Sequence, residues 1–195
     1  MSEFVHESLA AFGAKLRLMT VDEYYRAAER GVFGPDEKLE LLEGVVFELS
    51  PQKSPHASAT FRVRQAVEEA IPEAVVRDHS PLSLDARNEP EPDVLVAAGP
   101  IDRYDRRHPG PADVLLVVEV CDTSLRTDRQ IKAPLYAAFG IPEYWILDLN
   151  AKRLEVYREP SASGYSQVET LDPTASIAPL AGNGQTIAVR SLLPI

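Results

Sequence analysis

The sequence predicts an α/β fold, a mixed central sheet flanked by helices, and three observations carry that expectation. Val114-Leu115-Leu116-Val117-Val118-Glu119-Val120 is a continuous β-branched and aliphatic run, the pattern of a strand buried on both faces. A helix-competent stretch, Leu125 to Phe139, separates it from a second apolar run, Tyr144 to Leu149; strand, helix, strand at this spacing implies a right-handed parallel crossover. Arg153 to Arg158 then alternates Leu154 and Val156 with Arg153 and Glu155, the signature of an outer antiparallel strand.

The remaining elements follow from local signals. Thr20 and Glu23 form a capping box, Tyr24, Ala27 and Ala28 keep helical spacing, and Gly31 supplies a stop, so a helix of about three turns is expected there. Leu39, Leu41, Val45, Phe47 and Leu49 alternate with polar neighbours around Gly44, which reads as two short strands. Ser54 as N-cap with Pro55 in the first turn opens a helix to Ile71, with Ala59, Val63, Ala66, Val67 and Ala70 on its core face. Val75 to Arg77 and Leu82 to Leu84 read as short strands and Asp93 to Ala98 as a better one, followed by a charged loop, Asp102 to Pro111. Pro134 removes a backbone donor, so the helix before the Tyr144 run should kink or start late near it. Weak strands are expected around Gln167 to Leu171 and Thr186 to Val189.

The 195 residues are 45% hydrophobic and 26% charged, which fits one compact domain over 19–195 preceded by an arm over 1–18. Collagen, coiled coil and wholesale disorder are excluded. With 20 Lys and Arg against 30 Asp and Glu the net charge is −10, so any nucleic-acid contact must be local. A single cysteine forms no internal disulfide, no apolar run approaches the roughly 20 residues of a membrane span, and Glu3, His6 and Glu7 precede any apolar stretch, unlike a secretory signal. A mature chain in a reducing cytoplasm, with no membrane association, is the expectation.

Two carboxylates stand out. Burying an ionised carboxylate costs far more than one hydrophobic side chain returns, so Glu119, inside the best strand, needs a partner. Asp93 opens the preceding good strand, just after Pro90-Glu91-Pro92. If the two strands are antiparallel neighbours, Asp93 and Glu119 meet at one sheet end. Two readings are open: each carboxylate pairs with Arg or Lys in an inert bridge, or the pair shares a divalent cation, for which hard oxygen donors suit Mg²⁺ or Mn²⁺. Glu40 is either a third carboxylate or a solvated face residue. Ser124, Asp128, Lys132 and Tyr136 recur every fourth residue and share one helical face directly after the Glu119 strand; Lys132 either approaches the carboxylates or pairs with Asp128 at the surface. His56 is read as a phosphate contact or a structural residue, Cys121 as a quiet buried thiol, and Trp145 with Tyr144 as core.

Pro92-Asp93 followed by Glu119-Val120-Cys121 resembles the PD-(D/E)XK nuclease superfamily. More closely, Glu40-Leu41-Leu42-Glu43-Gly44, Ser50-Pro51, His56, Pro90-Glu91-Pro92-Asp93, Val117-Val118-Glu119-Val120, Asp128 with Lys132, Tyr136-Ala137 and Gly140-Ile141-Pro142-Glu143-Tyr144-Trp145 resemble the Uma-type bacterial restriction endonuclease family, over about residues 18 to 158. The resemblance implies a restriction-endonuclease-like core with Asp93, Glu119 and the Val120 carbonyl around Mg²⁺ or Mn²⁺, and Glu40 as an outer acidic partner. Where the superfamily places lysine two residues after the glutamate this chain has Cys121; in the family the lysine moves to the following helix, and Lys132 matches that place. The implied function is metal-dependent hydrolysis of DNA by a homodimer. The alternative on the same fold is a non-catalytic module that binds nucleic acid or protein.

Overall fold

The computed structural model describes residues 16–194. Most of the expected N-terminal arm, Met1 to Leu18, lies outside the described residues. The backbone clusters into two compact units, Met1–Pro51 with Ser83–Glu91, and Gln52–Leu82 with Pro92–Ile195.

In the first unit, helix α1 (Val21–Glu29) begins at the expected capping box: Thr20 Oγ1 accepts the Glu23 N–H at 3.2 Å, and the Glu23 carboxylate accepts the Thr20 N–H at 3.1 Å. Strands β1 (Leu39–Leu42) and β2 (Val45–Glu48) form an antiparallel hairpin whose two turn residues, Glu43 and Gly44, both have positive φ, 51° and 75°. Gly44 is required for a second reason: a Cβ there would lie 2.7 Å from Leu18 Cβ and 2.9 Å from the Met19 carbonyl. The Ser83–Glu91 segment lies along β1, with the Glu89 N–H donating to the Leu41 carbonyl at 2.8 Å. No strand forms at Leu82 to Leu84. The Leu84 N–H instead donates to the Asn88 carbonyl at 3.0 Å, closing a turn that consumes the donor a ladder would need.

The second unit carries a six-stranded mixed sheet in the order β3 (Ala74–Asp78), β4 (Val94–Ala98), β5 (Val114–Cys121), β6 (Glu143–Asp148), β7 (Arg153–Ser161), β8 (Gly164–Leu171). Only β5 and β6 are parallel, as the strand, helix, strand pattern requires. The antiparallel register of β4 on β5 sets Val94 opposite Val118. β7 is not the outer strand: β8 pairs along it, and β8 is an edge with five of its eight residues exposed, so its sequence carries only a weak apolar pattern.

Helix α2 (Ser54–Ala70) is capped by Lys53 rather than Ser54, one residue earlier than expected, with Pro55 in its first turn. Its face of Ala59, Val63, Val67 and Ala70 packs on the sheet face made by Val94, Val96, Leu116, Val118, Val120, Trp145 and Leu147. Full burial of each valine on that face contributes about 1.5–3 kcal/mol. Glu119 lies between Val118 and Val120 in β5, so alternation turns it to the opposite face.

That opposite face is served by an interrupted helix: α3 (Leu125–Thr127), a π-turn over Asp128–Lys132, then α4 (Ala133–Ala138). The expected irregularity at Pro134 takes this form because Pro134 offers no N–H to the Gln130 carbonyl and its ring crowds that oxygen; widening the preceding turn relieves both. Tyr136 of α4 packs edge to face on Tyr144, ring centroids 5.0 Å apart, and Tyr157 and Tyr165 extend the cluster. The chain continues through the short pair β9 (Ser176–Ile177) and β10 (Ile187–Ala188) into α5 (Val189–Leu192). No described helix is long and apolar enough to cross a membrane.

Candidate active site

The β4 and β5 register places Asp93, immediately before β4, beside Glu119. The Asp93 N–H donates to Glu119 Oε2 at 3.4 Å, and the Val120 N–H donates to Asp93 Oδ2 at 2.8 Å. Two carboxylates, 9% and 4% exposed, thus stand together at one sheet end.

Lys132 reaches Glu119. Its ammonium, on a side chain 4% exposed, lies 2.9 Å from Glu119 Oε1. The π-turn ends at Lys132 and delivers it toward β5. Four residues on, the Tyr136 hydroxyl donates to the same Glu119 oxygen at 3.2 Å. Asp128, read from the sequence as a possible surface partner of Lys132, is itself buried at 1% exposure and accepts from the Ser124 hydroxyl at 2.7 Å, so neither end of that row is a solvated pair.

On the other side of Asp93 stand groups that sequence reasoning did not assemble. His56, in the first turn of α2, places Nε2 3.3 Å from Asp93 Oδ2. Burial pulls the His56 pKa down, but the hydrogen bond and charge of Asp93, then the Val120 backbone and the charge of Asp122, carry it above its ordinary value. His79, just past β3 with φ 45°, donates its N–H to the Asp93 carbonyl at 3.3 Å and sets Nδ1 3.5 Å from Asp93 Oδ1; Gln52 Nε2 approaches the same oxygen at 3.5 Å and the His79 ring at 3.1 Å. The signal for His79 was topological: once β3 pairs with β4 so that Asp78 opposes Val94, the next residue falls beside Asp93.

Glu40 lies in the first unit, on β1 at 1% exposure, where its Oε2 accepts the Glu91 N–H at 3.2 Å. It is therefore buried and not a solvated face residue. Cys121 is buried too, and burial pushes its thiol well above the ordinary range, so it supplies no nucleophile and no replacement for a lysine. Trp145 is wholly buried with its indole N–H on Glu143 Oε1 at 3.0 Å, a core residue as expected.

A family model described as "Uma2: Putative restriction endonuclease" matches residues 21–190. The chain belongs to the Uma2 family. Its fold is also that of a crystal structure described as a "putative nuclease belonging to DUF820" from Anabaena variabilis ATCC 29413, with a TM-score of 0.69 at 14% sequence identity over 89% of this chain and 97% of that one. No curated protein matches. Uma2 membership and the shared fold bear out the restriction-endonuclease-like α/β architecture, and they name a nuclease. For this Uma2 chain the chemistry on offer is a pair of buried carboxylates, one ammonium on a flexible stem, and a histidine biased toward its cationic form.

Proposed function

We propose that this chain is a divalent-metal-dependent DNA endonuclease whose working groups are Asp93, Glu119 and Lys132. The observation that carries the reading is the Lys132 ammonium 2.9 Å from Glu119, at the carboxylate pair, although the chain holds cysteine two residues after the glutamate. A cation supplied from a helix thirteen residues on supports the same chemistry as one supplied from the strand.

The donor set fits a hard cation. Asp93, Glu119 and the Val120 carbonyl are all oxygen donors, and Mg²⁺ is commonly held by one or two carboxylates with the rest of its shell left to water and substrate phosphate. Among the described residues no group of three or more His, Cys, Asp and Glu side chains converges to cage a metal, so the donor set rests on two carboxylates and one backbone carbonyl. Mg²⁺ or Mn²⁺, when bound, supplies polarisation of a phosphate and acidification of a water. Asp93 and Glu119 would hold it through their carboxylate oxygens. Lys132 carries a compact, movable positive charge that orients the attacking water or steadies negative charge developing on the phosphate. His56 keeps Asp93 aligned from the α2 side. Glu40 enters through the family resemblance alone, as an acidic partner, and Glu40→Gln is expected to lower cleavage.

Cutting both strands with one site per chain calls for two copies, so we expect a homodimer; sedimentation as a monomer at micromolar concentration contradicts that part. The test of the function is incubation of the purified protein with plasmid, linear and single-stranded DNA in Mg²⁺ or Mn²⁺, beside EDTA and the Glu119→Ala and Lys132→Ala variants. Metal-dependent cutting lost in both variants is the expected result. Cutting that persists in both identifies a contaminant, and DNA retention without cutting by the wild type favours the binding module.

A further inference from the structure

We infer that Tyr136 is a positioning residue that holds Glu119 in its metal-binding orientation when the Lys132 ammonium engages substrate. The inference rests on the endonuclease reading and extends it to a residue outside the reacting set.

Glu119 Oε1 takes two donors, Lys132 Nζ at 2.9 Å and the Tyr136 hydroxyl at 3.2 Å, while Oε2 takes the Asp93 N–H at 3.4 Å. The two donors on Oε1 differ in kind. Lysine ends a flexible four-carbon stem and carries a charge that a phosphate attracts. If it alone fixed Oε1, each departure toward substrate would leave a buried carboxylate oxygen without that anchor. Tyr136 is neutral, so it donates without opposing a cation at the same carboxylate. It is also immobile: its side chain is wholly buried and packs on Tyr144 at 5.0 Å, Tyr144 packs on Tyr157 at 5.5 Å, and the Tyr144 hydroxyl reaches the Asp128 carbonyl at 3.4 Å, tying the aromatic cluster to the start of the π-turn. One donor is the tip of a rigid ring packed in the core, the other the tip of a four-carbon stem with more rotatable bonds.

The test measures Mn²⁺ binding to the full chain, without DNA, by water-proton relaxation, so its readout does not depend on cleavage. Tyr136→Phe keeps the ring and removes only the hydroxyl; it is expected to weaken Mn²⁺ binding about 10–100-fold, the usual effect of deleting a group that orients a ligand, with melting lowered by about 2–4 °C. Lys132→Met is expected to bind Mn²⁺ at least as tightly as wild type, because a positive charge beside the carboxylates is gone, and to cut nothing. Tyr144→Phe, which loses a hydroxyl from the same cluster but not from Glu119, is expected to keep wild-type affinity. Wild-type affinity in Tyr136→Phe, or equal weakening in Tyr144→Phe, overturns the inference and leaves the endonuclease reading standing. Weakening in Lys132→Met greater than in Tyr136→Phe makes the lysine the anchor and overturns it as well. A wild type that neither binds Mn²⁺ nor cuts DNA overturns both.

Discussion

Strand β5 is bracketed by two buried carboxylates, Asp113 just before it and Glu119 near its end, and they have opposite company. Asp113 is saturated by its own loop: Arg107 reaches it at 2.6 and 3.2 Å, Arg103 at 3.1 Å and the Gly110 N–H at 2.9 Å. The Arg107 hydrogen bond, against burial and with help from Gly110, holds its carboxyl down to about 2. Glu119 meets an ammonium, a hydroxyl and an N–H instead of a guanidinium, and a second carboxylate stands beside it. Guanidinium forks on a lone carboxylate make a fixed joint. An ammonium on a carboxylate pair is, on the endonuclease reading, a place where a cation and a phosphate exchange partners. On the endonuclease reading, burial alone does not mark a working carboxylate, whereas a second carboxylate and an ammonium on a long stem do. Glu143 follows the Asp113 pattern, gripped by Arg158 at 2.6 and 2.9 Å and by the Trp145 and Leu180 N–H groups.

The sharpest way to break this comparison is to neutralise each end of β5 in turn. Glu119→Gln, isosteric and uncharged, is expected to lower DNA cleavage by about 10³-fold, the scale of losing a placed electrostatic group; Asp113→Asn is expected to leave cleavage per folded molecule unchanged. Equal losses in the two variants would erase the distinction. Next in size is Glu143→Ala, which leaves Arg158 facing an empty buried site and is expected to cost about 3–5 kcal/mol in denaturant unfolding while Mn²⁺ affinity of the folded fraction stays at the wild-type value.

Much of this contrast was legible in the sequence. Asp93 and Glu119 announced themselves because each interrupts or opens an apolar strand, where an unpaired charge is costly, and chain order alone made the two strands neighbours. Lys132 was legible from fourth-residue spacing after β5. The π-turn that aims it was not, since a periodicity of 3.6 carries no sign of a locally wider turn; only Pro134 hinted at an irregularity. His56, His79 and Gln52 come to Asp93 from the start of α2 and the end of β3, a convergence set by tertiary pairing rather than by any local pattern. Only the second half of β8 was legible, as a weak strand around Gln167 to Leu171, because five of its eight residues are exposed and carry no apolar code.

Smaller effects sharpen the account through pH. At the Asp113 end, a carboxyl with a depressed folded pKa stabilises the protein above its unfolded value, near 4, and loses that contribution as pH falls toward 2. Melting curves of wild type and Asp113→Asn should therefore differ at pH 5 and converge between pH 4 and 2; the expected difference at pH 5 is about 1 kcal/mol, because both arginines are about half exposed and screened. At the other end the sign reverses. His56 has a raised folded pKa, so its pairing with Asp93 stabilises fully below the unfolded value of about 6.5 and is lost as pH rises through the folded one. His56→Gln should remove a modest fall in melting temperature from the neutral to mildly alkaline range, and an unchanged pH slope would detach His56 from Asp93.

The most direct measurement is an anomalous difference map from crystals of the protein soaked in Mn²⁺. The account predicts one strong peak within coordination distance of both the Asp93 and Glu119 carboxylates, absent in Glu119→Gln crystals, and no peak at Asp113. A peak at Asp113, or a strong peak elsewhere with none at the Asp93 and Glu119 pair, would contradict it.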